Sequence, residues 1–315
     1  MLLWRLCAAL VVAVPLVGQS GGTLVERIRR APLTDGERQA VTTAFSQKDF
    51  DRLEGVLAGS SLSSAPKERA AALHALLGAM EFLGGRMRPA VQAFRQADAL
   101  VSLDDPDRFT LAMALVNLAE GQAARTELSL LYQRHAGQAI YLYWLARLDY
   151  DQRLYEDAVE KFKRVIAMEP ASVRGYDNLG LAYDMMGLTE EAQAAFSKAV
   201  TFNRKLSTPS AWPPHNLGYL QLRLQQFEQA EQSLQEALKY DPNFAEAHYH
   251  LGRALENQRR NDAAIEEYKS AAALDVKLAT PLYSLGLLYR RCGRDAEAAT
   301  ALAEYQKRKA LAGSQ

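Results

Sequence analysis

The residues in this sequence that could do acid–base or metal chemistry are few and poorly spaced for it. Five histidines are present, and two of them, His248 and His250, stand two positions apart. On a helix that spacing turns the two rings to different faces, so they make a poor metal pair. No HExxH, CxxC or paired Cys–His spacing accompanies them. We therefore predict that the chain holds no metal and that its histidines have structural roles.

Other common catalytic motifs are missing as well. Gly84 and Gly85 are not followed by the Lys-Ser or Lys-Thr of a phosphate-binding loop. The letters G-x-S-x-G occur at Gly18 to Gly22, but they end the apolar N-terminal run and do not form a strand-to-helix elbow. The acidic pair Glu190 and Glu191 fits a charged first helical turn better than a catalytic pair. Cys292 is a thiol without a convincing histidine partner. We expect no catalytic residue and no cofactor.

The charge balance limits the class of partner. Lys plus Arg and Asp plus Glu each total 37, so no net field draws the chain to nucleic acid or anionic lipid. Hydrophobic residues make up 49%, which is enough to bury a substantial core. We predict a folded protein that does not bind nucleic acid.

The first twenty residues have the pattern of a secretory signal. Arg5 is followed by an uncharged run from Leu6 to Val17 and then by small or polar residues up to Ser20. The run is about a dozen residues long, whereas a membrane-spanning helix needs about 20. We predict a signal peptide over residues 1–20 and a periplasmic or secreted protein, with an uncleaved membrane anchor as the weaker alternative.

Cleavage near Ser20 would fix two properties of the mature chain. Cys7 would be removed, which leaves Cys292 alone and allows no internal disulfide. No stable membrane insertion is expected after cleavage. Residues 21–33 are predicted to form a flexible segment.

Internal repeats carry most of the information in the sequence. A leucine followed by glycine or alanine recurs at a spacing of 34 residues, with one interval of 38. These leucines are Leu77, Leu111, Leu145, Leu179, Leu217, Leu251 and Leu285. Thirteen residues after each stands an alanine, and four residues further on stands a large apolar residue. This predicts two antiparallel helices per unit, with small residues where two backbones approach and large ones beside them.

Turn and cap residues divide each unit into its two helices. Gly85, Gly187 and Gly293 occupy one register, where a residue with positive φ can close the first helix. The residues that follow offer plausible N-caps for the second helix, namely Thr189, Asn261 and Asp295.

This arrangement resembles the tetratricopeptide repeat family, a 34-residue helix-turn-helix unit with Leu-Gly, Tyr, Ala and Phe at fixed places. The best matching unit contains Tyr176, Leu179, Gly180, Tyr183, Ala192, Phe196 and Ala199. Arg204 stands where the family prefers proline. The resemblance covers residues 66–309 as seven units. It implies an all-α fold, a right-handed superhelical solenoid of antiparallel helix pairs.

The segments on either side of this array are assigned from weaker patterns. Residues 34–62 have Phe45, Phe50, Leu53 and Leu57 at helical spacings and look like an eighth, degenerate unit. A short helical hairpin of another origin is the alternative. Residues 310–315 are predicted to be a C-terminal tail.

The resemblance also implies where a ligand would bind. In this family the first helices of successive units line the concave side of the superhelix and contact extended peptides or partner helices. The groove positions, with Trp212 at the rim, are Tyr143, Arg147, Tyr150, Arg174, Asn178, Trp212, His215, Asn216, Tyr219, Tyr249, His250, Arg253, Tyr283 and Arg290. Acidic positions alternate with them, at Asp177, Asp184, Glu246 and Glu256. Tyr and Arg are favoured at binding hot spots.

Two features of this surface each have two interpretations. Asn178 and Asn216 could hold a peptide backbone through their amides, or they could be a residue type common before Leu-Gly in this family. The long interval ends in Trp212, Pro213 and Pro214, and adjacent prolines require a helix that starts late. Trp212 could lie at the groove rim or pack under the preceding loop.

Our leading hypothesis is an exported, non-enzymatic scaffold or adaptor that binds a protein or peptide of unknown identity. One alternative is an envelope glycan or lipid assembly factor, in which Tyr and Trp rings stack on sugars. Another is an enzyme with its site around His215, His250 and Glu246. The sequence leaves the partner and the oligomeric state open.

Overall fold

The structure, a computed structural model, describes residues 24–58 and 66–313. Within these two ranges every regular element is an α-helix and no strand occurs. The predicted signal peptide, residues 1–20, lies outside the described residues. So do residues 21–23, the serine-rich stretch 59–65 and the last two residues of the predicted tail.

Seventeen helices occupy the described ranges. In chain order they are α1 (Leu24–Arg30), α2 (Asp35–Ser46), α3 (Phe50–Ala58), α4 (Lys67–Leu83), α5 (Met87–Leu100), α6 (Asp105–Asn117), α7 (Gly121–Arg134), α8 (Ala139–Asp151), α9 (Tyr155–Met168), α10 (Val173–Met185), α11 (Thr189–Asn203), α12 (Trp212–Arg223), α13 (Phe227–Tyr240), α14 (Ala245–Asn257), α15 (Asn261–Leu274), α16 (Thr280–Arg291) and α17 (Asp295–Gly313).

The chain divides into two compact units, residues 1–148 and residues 149–315. In the first unit α2 packs on α3, α4 on α5, and α6 on α7. In the second unit α10 packs on α11, α12 on α13, α14 on α15, and α16 on α17. Each pair is a helical hairpin with a short turn. The predicted fold class, an all-α array of antiparallel helix pairs, is confirmed.

The two helices of a hairpin meet at the small residues that the repeat predicts. The alanine column is buried throughout, each member being at most 1% exposed: Ala90, Ala124, Ala158, Ala192, Ala230, Ala264 and Ala298. A Cβ added to Gly180 would lie 2.6 Å from the ring of Phe196, and one on Gly252 would lie 2.7 Å from Tyr268. Glycine therefore lets these large rings reach the facing backbone. The predicted pairing of small with large residues is confirmed.

One backbone turn joins the two helices in every hairpin. Gly85, Gly187 and Gly293 have φ values of 78°, 76° and 72°, as predicted. In the other turns the same place is taken by a non-glycine residue with positive φ: Lys48, Ala119, Arg153, Gln225 and Arg259. The next N–H then donates to a carbonyl five residues back, as from Leu188 to Tyr183 at 2.9 Å. This is the Schellman arrangement, which satisfies carbonyls at the end of the first helix.

The predicted N-caps of the second helices are wrong by one residue. Thr189 and Asn261 are already the first helical residues of α11 and α15, and Leu188 and Arg260 stand at the cap positions without a side-chain cap. Asp295 likewise opens α17. The reason is the turn itself, in which a single residue separates the left-handed residue from the next helix and takes the cap position.

The four extra residues of the long interval lie in the loop 204–211. Asn203, which is fully buried at the end of α11, holds this loop with its side chain. Its Nδ2 donates to the Ser210 carbonyl at 2.8 Å, and its Oδ1 accepts from the Ser210 N–H at 2.9 Å. The prolines Pro213 and Pro214 then lie in the first turn of α12, as predicted.

Candidate functional site: the first-helix face of the second unit

Three neighbouring first helices, α10, α12 and α14, form one surface in the second unit. α10 contacts α12, and α12 contacts α14. We call this surface the first-helix face. Its central residues are Asp177, His215, Asn216, Tyr219, Tyr249, His250 and Arg253.

Side chains on this face reach the next helix with a constant offset of one repeat plus one residue. Asp177 bonds to Asn216, 39 residues later across the long interval, and His215 bonds to His250, 35 residues later. The same geometry thus recurs at successive helix pairs. It brings two histidines together that are far apart in the sequence.

The four side chains form one hydrogen-bond chain with a fixed direction. Asn216 Nδ2 donates to the two carboxylate oxygens of Asp177 at 3.0 and 3.2 Å, so its Oδ1 faces the His215 ring. His215 Nδ1 lies 3.2 Å from that Oδ1 and must carry the proton that joins them. His215 Nε2 then accepts from His250 Nδ1, 3.1 Å away. This order leaves Nε2 as the acceptor nitrogen of His250.

Both histidines are held in the neutral form. Burial lowers the pKa of His215 to about 4, although its bond to Asn216 acts in the opposite direction. Burial also lowers the pKa of His250 well below its usual value, helped by the neighbouring His215 and the positive charge of Arg253. At neutral pH the pair therefore contributes directed hydrogen bonds without adding positive charge.

The deep side of the pair is closed by two large aromatic rings. Trp212 lies 4.5 Å from Phe244 between ring centroids, and Phe244 lies 4.6 Å from His215. Trp212 is half-buried and packs on Ala211, Phe244 and their neighbours. Its other apolar neighbours lie on α13 and at the start of α14, and part of its surface stays exposed.

The outer side carries two tyrosines. The Tyr219 ring lies 4.6 Å from His250, and the Tyr249 ring lies 5.4 Å from it. Both tyrosines are half-buried, as is His250. The three rings form a partly exposed aromatic platform on rigid helices, which is the arrangement that favours a binding hot spot.

The charged groups of the first-helix face differ in whether they form salt bridges. Arg223 Nη1 donates to the Asp184 carboxylate at 2.6 and 2.8 Å, with the same offset of one repeat plus one. Arg253 lies 5.9 Å from the centre of the Tyr249 ring. Neither Arg253 nor the exposed Arg174 forms a salt bridge with another described residue. The acidic group of Asp184 is thus neutralised, whereas two guanidinium groups keep their charge for a ligand.

The remaining predicted positions of the second unit lie apart from the platform. Asn178 is 7% exposed, and its Nδ2 donates to the Arg174 carbonyl in its own helix at 2.9 Å. Tyr150 is 8% exposed, and its ring lies 5.6 Å from that of Tyr155. On α16, Tyr283 is 44% exposed and Arg290 is exposed.

Two predicted positions belong to the first unit. Tyr143 is half-buried beside Trp144, with ring centroids 5.5 Å apart. Arg147 is half-buried.

Sequence reasoning missed how the site residues are connected. It set His248 against His250, whereas His248 bonds to Glu267 at 2.6 Å and to the Pro242 carbonyl at 3.0 Å. The partner of His250 is His215, one repeat away, which the sequence grouped with it only as part of a hypothetical enzyme site. The repeat spacing was the signal that could have found this pair. Phe244 and its ring contacts were also not foreseen.

The described residues contain no group of three or more His, Cys, Asp or Glu side chains that could hold a metal ion. None of their helices combines the length and the apolar character that crossing a membrane requires.

Comparison with known families agrees with this geometry. Residues 143–207 and 215–276 match the family model described as Tetratricopeptide repeat. In these two segments the chain is similar to tetratricopeptide repeats. The matched residues include α10, α14 and residues 215–223 of α12, and so all the central residues of the first-helix face.

Individual proteins are similar over different lengths of the chain. An uncharacterized ycf37 protein of Cyanophora paradoxa is 27% identical over 125 residues, 40% of this chain and 73% of the relative. A tetratricopeptide repeat protein from Parabacteroides merdae is similar in structure with a TM-score of 0.62 and 15% identity, over 85% of this chain and 99% of the other. A chain of the APC/C Cut9–Hcn1 hetero-tetramer gives 0.61 and 15% identity, over 79% and 48%. At these identities the solved structures show the fold alone.

Proposed function

We propose that this protein is a binding scaffold that takes a peptide or a partner helix on the first-helix face of its second unit. The observation that carries the proposal is the platform of Tyr219, Tyr249 and His250. Aromatic rings on rigid helices offer contact area at a small cost in conformational entropy. The tetratricopeptide repeats support binding as the role of this surface.

The platform also suggests the chemistry of the ligand. His250 Nε2 is an acceptor, which suits a backbone or side-chain N–H of a bound segment. Arg174 and Arg253 suit a carboxylate near the same segment. We therefore expect a ligand that combines an aromatic or aliphatic side chain with an acidic residue.

Binding accounts for the histidines better than catalysis. The chain from His250 to Asp177 is fully ordered, and its members act as donors and acceptors to one another. Its effect is to hold the His250 ring in one orientation between the tyrosines. We propose that the scaffold works without an enzymatic step.

A peptide display library provides a direct test. Twelve-residue random peptides would be selected on the wild-type protein, and their affinities measured by fluorescence anisotropy. Replacing both Tyr219 and Tyr249 by Ala should weaken the selected peptides at least tenfold, since each hot-spot ring contributes roughly 1–2 kcal/mol. Arg253→Ala should weaken acidic peptides more than neutral ones.

The matched control is Tyr132→Ala, which removes a half-buried tyrosine from α7, a second helix of the first unit. It should leave the affinities unchanged. Selected peptides that bind the double tyrosine variant as tightly as the wild type would refute the assignment of this face. Circular dichroism of each variant would show that the helices are intact.

We further infer that the scaffold is exported, to the periplasm or the outside of the cell. The support is the sequence pattern of residues 1–20, with Arg5 before the apolar run. N-terminal sequencing of the protein from a fractionated bacterial host tests this. A mature protein that begins near residue 21 in the periplasmic fraction is expected, and an uncut cytoplasmic protein would contradict it.

A further inference from the structure

The short helix α1 lies on the first helices of two hairpins in the first unit. It contacts α4, and its Arg27 reaches α6, where Nη2 lies 2.5 Å from Asp107 Oδ1. The two side chains are only 18% and 10% exposed. α1 therefore covers a surface built from the same kind of helices as the candidate site of the second unit.

The attachment of α1 combines apolar packing with hydrogen bonds from Arg38. Ile28 is 7% exposed and belongs to the apolar cluster that includes Leu73 and Leu76 of α4. Arg38 of α2 donates to the carbonyls at the C-terminal end of α1, including that of Arg29 at 2.8 Å. These contacts explain why a helix of seven residues is ordered at all, since an isolated helix of this length is unstable in water.

The fit between α1 and the surface beneath it is incomplete. A cavity of about 330 Å³ remains between them. Its apolar wall is formed by Ala72, Ala75 and Leu76 of α4 and by Pro106 of α6. The opposite side is formed by charged residues of α1 and by Ala31 and Pro32 in the segment that follows it. A larger apolar side chain at the place of Ala31 would remove more of this wall from water.

The surface also selects for a cation. Asp107 is 7% exposed, and burial together with the nearby Asp104 raises its pKa to about 6, against the effect of Arg27. If α1 left, this carboxylate would lose the guanidinium beside it while remaining close to an apolar wall. A replacement that carries a guanidinium group would restore this ion pair.

We propose that the surface of α4 and α6 is a second docking site, specific for a basic amphipathic helix, and that α1 is its resident, displaceable occupant. A partner helix that carries an arginine for Asp107 and a large apolar residue for the cavity replaces α1. The proposal goes beyond the peptide-binding role of the second unit and does not rest on it.

The tether explains why α1 occupies the site in the resting protein. Residues 31–34 join it directly to α2, so its effective concentration at the surface is on the order of millimolar. An external helix must therefore fit better than α1 does. A larger apolar side chain that fills the cavity would supply this additional binding free energy.

The test uses the full chain and a labelled peptide with the sequence of residues 24–33. Arg27→Glu places a carboxylate against Asp107 and should release α1, so the peptide should bind this variant at least tenfold more tightly than the wild type. The same peptide with Ala31→Leu should bind several times more tightly still. Adding Asp107→Asn to the Arg27→Glu chain should abolish the gain.

The matched control is Arg29→Glu, which makes the same charge change at an exposed position of α1. It should bind the peptide as weakly as the wild type. Limited trypsin digestion gives a second measurement, because Asp107→Asn should speed cleavage after Arg29 and Arg30 in the otherwise unchanged chain. Equal peptide binding by the two Glu variants, or an unchanged trypsin pattern in Asp107→Asn, would overturn the proposal and leave α1 as a fixed cap.

Discussion

The neutral histidine pair makes the stability of the second unit depend on pH in a direction that can be worked out. The pKa of His215 is lowered from 6.5 to about 4 in the folded protein. Between these values the unfolded chain binds more protons, so folding stability falls as the pH falls. A difference of roughly 2.5 pKa units corresponds to about 3 kcal/mol of unfolding free energy. This contribution is present above pH 6.5 and is lost on going down to pH 4.

The substitution His215→Gln isolates this contribution. Glutamine does not titrate, but it can still accept from His250 and donate to Asn216. Urea unfolding followed by circular dichroism at pH 7, 6, 5 and 4 would give the free energy for both proteins. The wild type should lose about 3 kcal/mol more than the variant over this range, near 1.4 kcal/mol per pH unit at the steepest part.

His248 provides a control of opposite sign. Its bond to Glu267 raises its pKa, so its contribution is present below pH 6.5 and is lost as the pH rises through the folded value. The variant His248→Gln should therefore lose stability at pH 5 to 6 and much less at pH 8. If the wild type and His215→Gln showed parallel pH profiles, the buried, neutral state of the pair would be refuted.

Two further substitutions test the packing of the repeats. Gly180→Ala should lower the unfolding free energy by about 1–2 kcal/mol in urea, because strain against Phe196 exceeds the gain in helix propensity; an unchanged or higher midpoint would contradict the contact. Asn203→Ala should lower the unfolding free energy by about 2 kcal/mol and speed trypsin cleavage at Lys205, because both backbone groups of Ser210 lose their partner. Asn257→Ala, at an exposed position, is the control, and equal effects would show that the loop is held by other contacts.

The repeat, its register and its small-residue columns could be predicted from the sequence because they recur. A spacing of 34 residues fixes which positions face the partner helix, and the buried columns follow from it. Glycine marked three of the turns correctly. The turns at Ala119 and Arg153 could not be found this way, because hydrogen bonds of the surrounding turn impose a positive φ on residues that do not prefer it.

The connections of the site were harder to foresee. His215 and His250 were both placed on the first helices, but their mutual bond depends on an offset of one residue between neighbouring helices, which only the packing sets. For Tyr150 the prediction and the structure differ. The resemblance to the family placed this side chain on the groove surface, whereas the structure buries it. The docking of α1 has no repeat signal, since a single segment offers no periodicity to compare.

The two hydrogen bonds between Asn203 and Ser210 close the loop between them. The number of residues in this loop can therefore change without changing the register of the helices on either side. Everything between these two residues lies in the exposed stretch around Leu206 and Thr208, while α12 enters the array at its proper place beyond it. Four extra residues are absorbed there without a change in the offset that pairs Asp177 with Asn216. The loop 204–211 is therefore a suitable insertion site for a fluorophore or a short affinity tag. Such a label, placed before α12, would report whether a ligand is bound to the first-helix face.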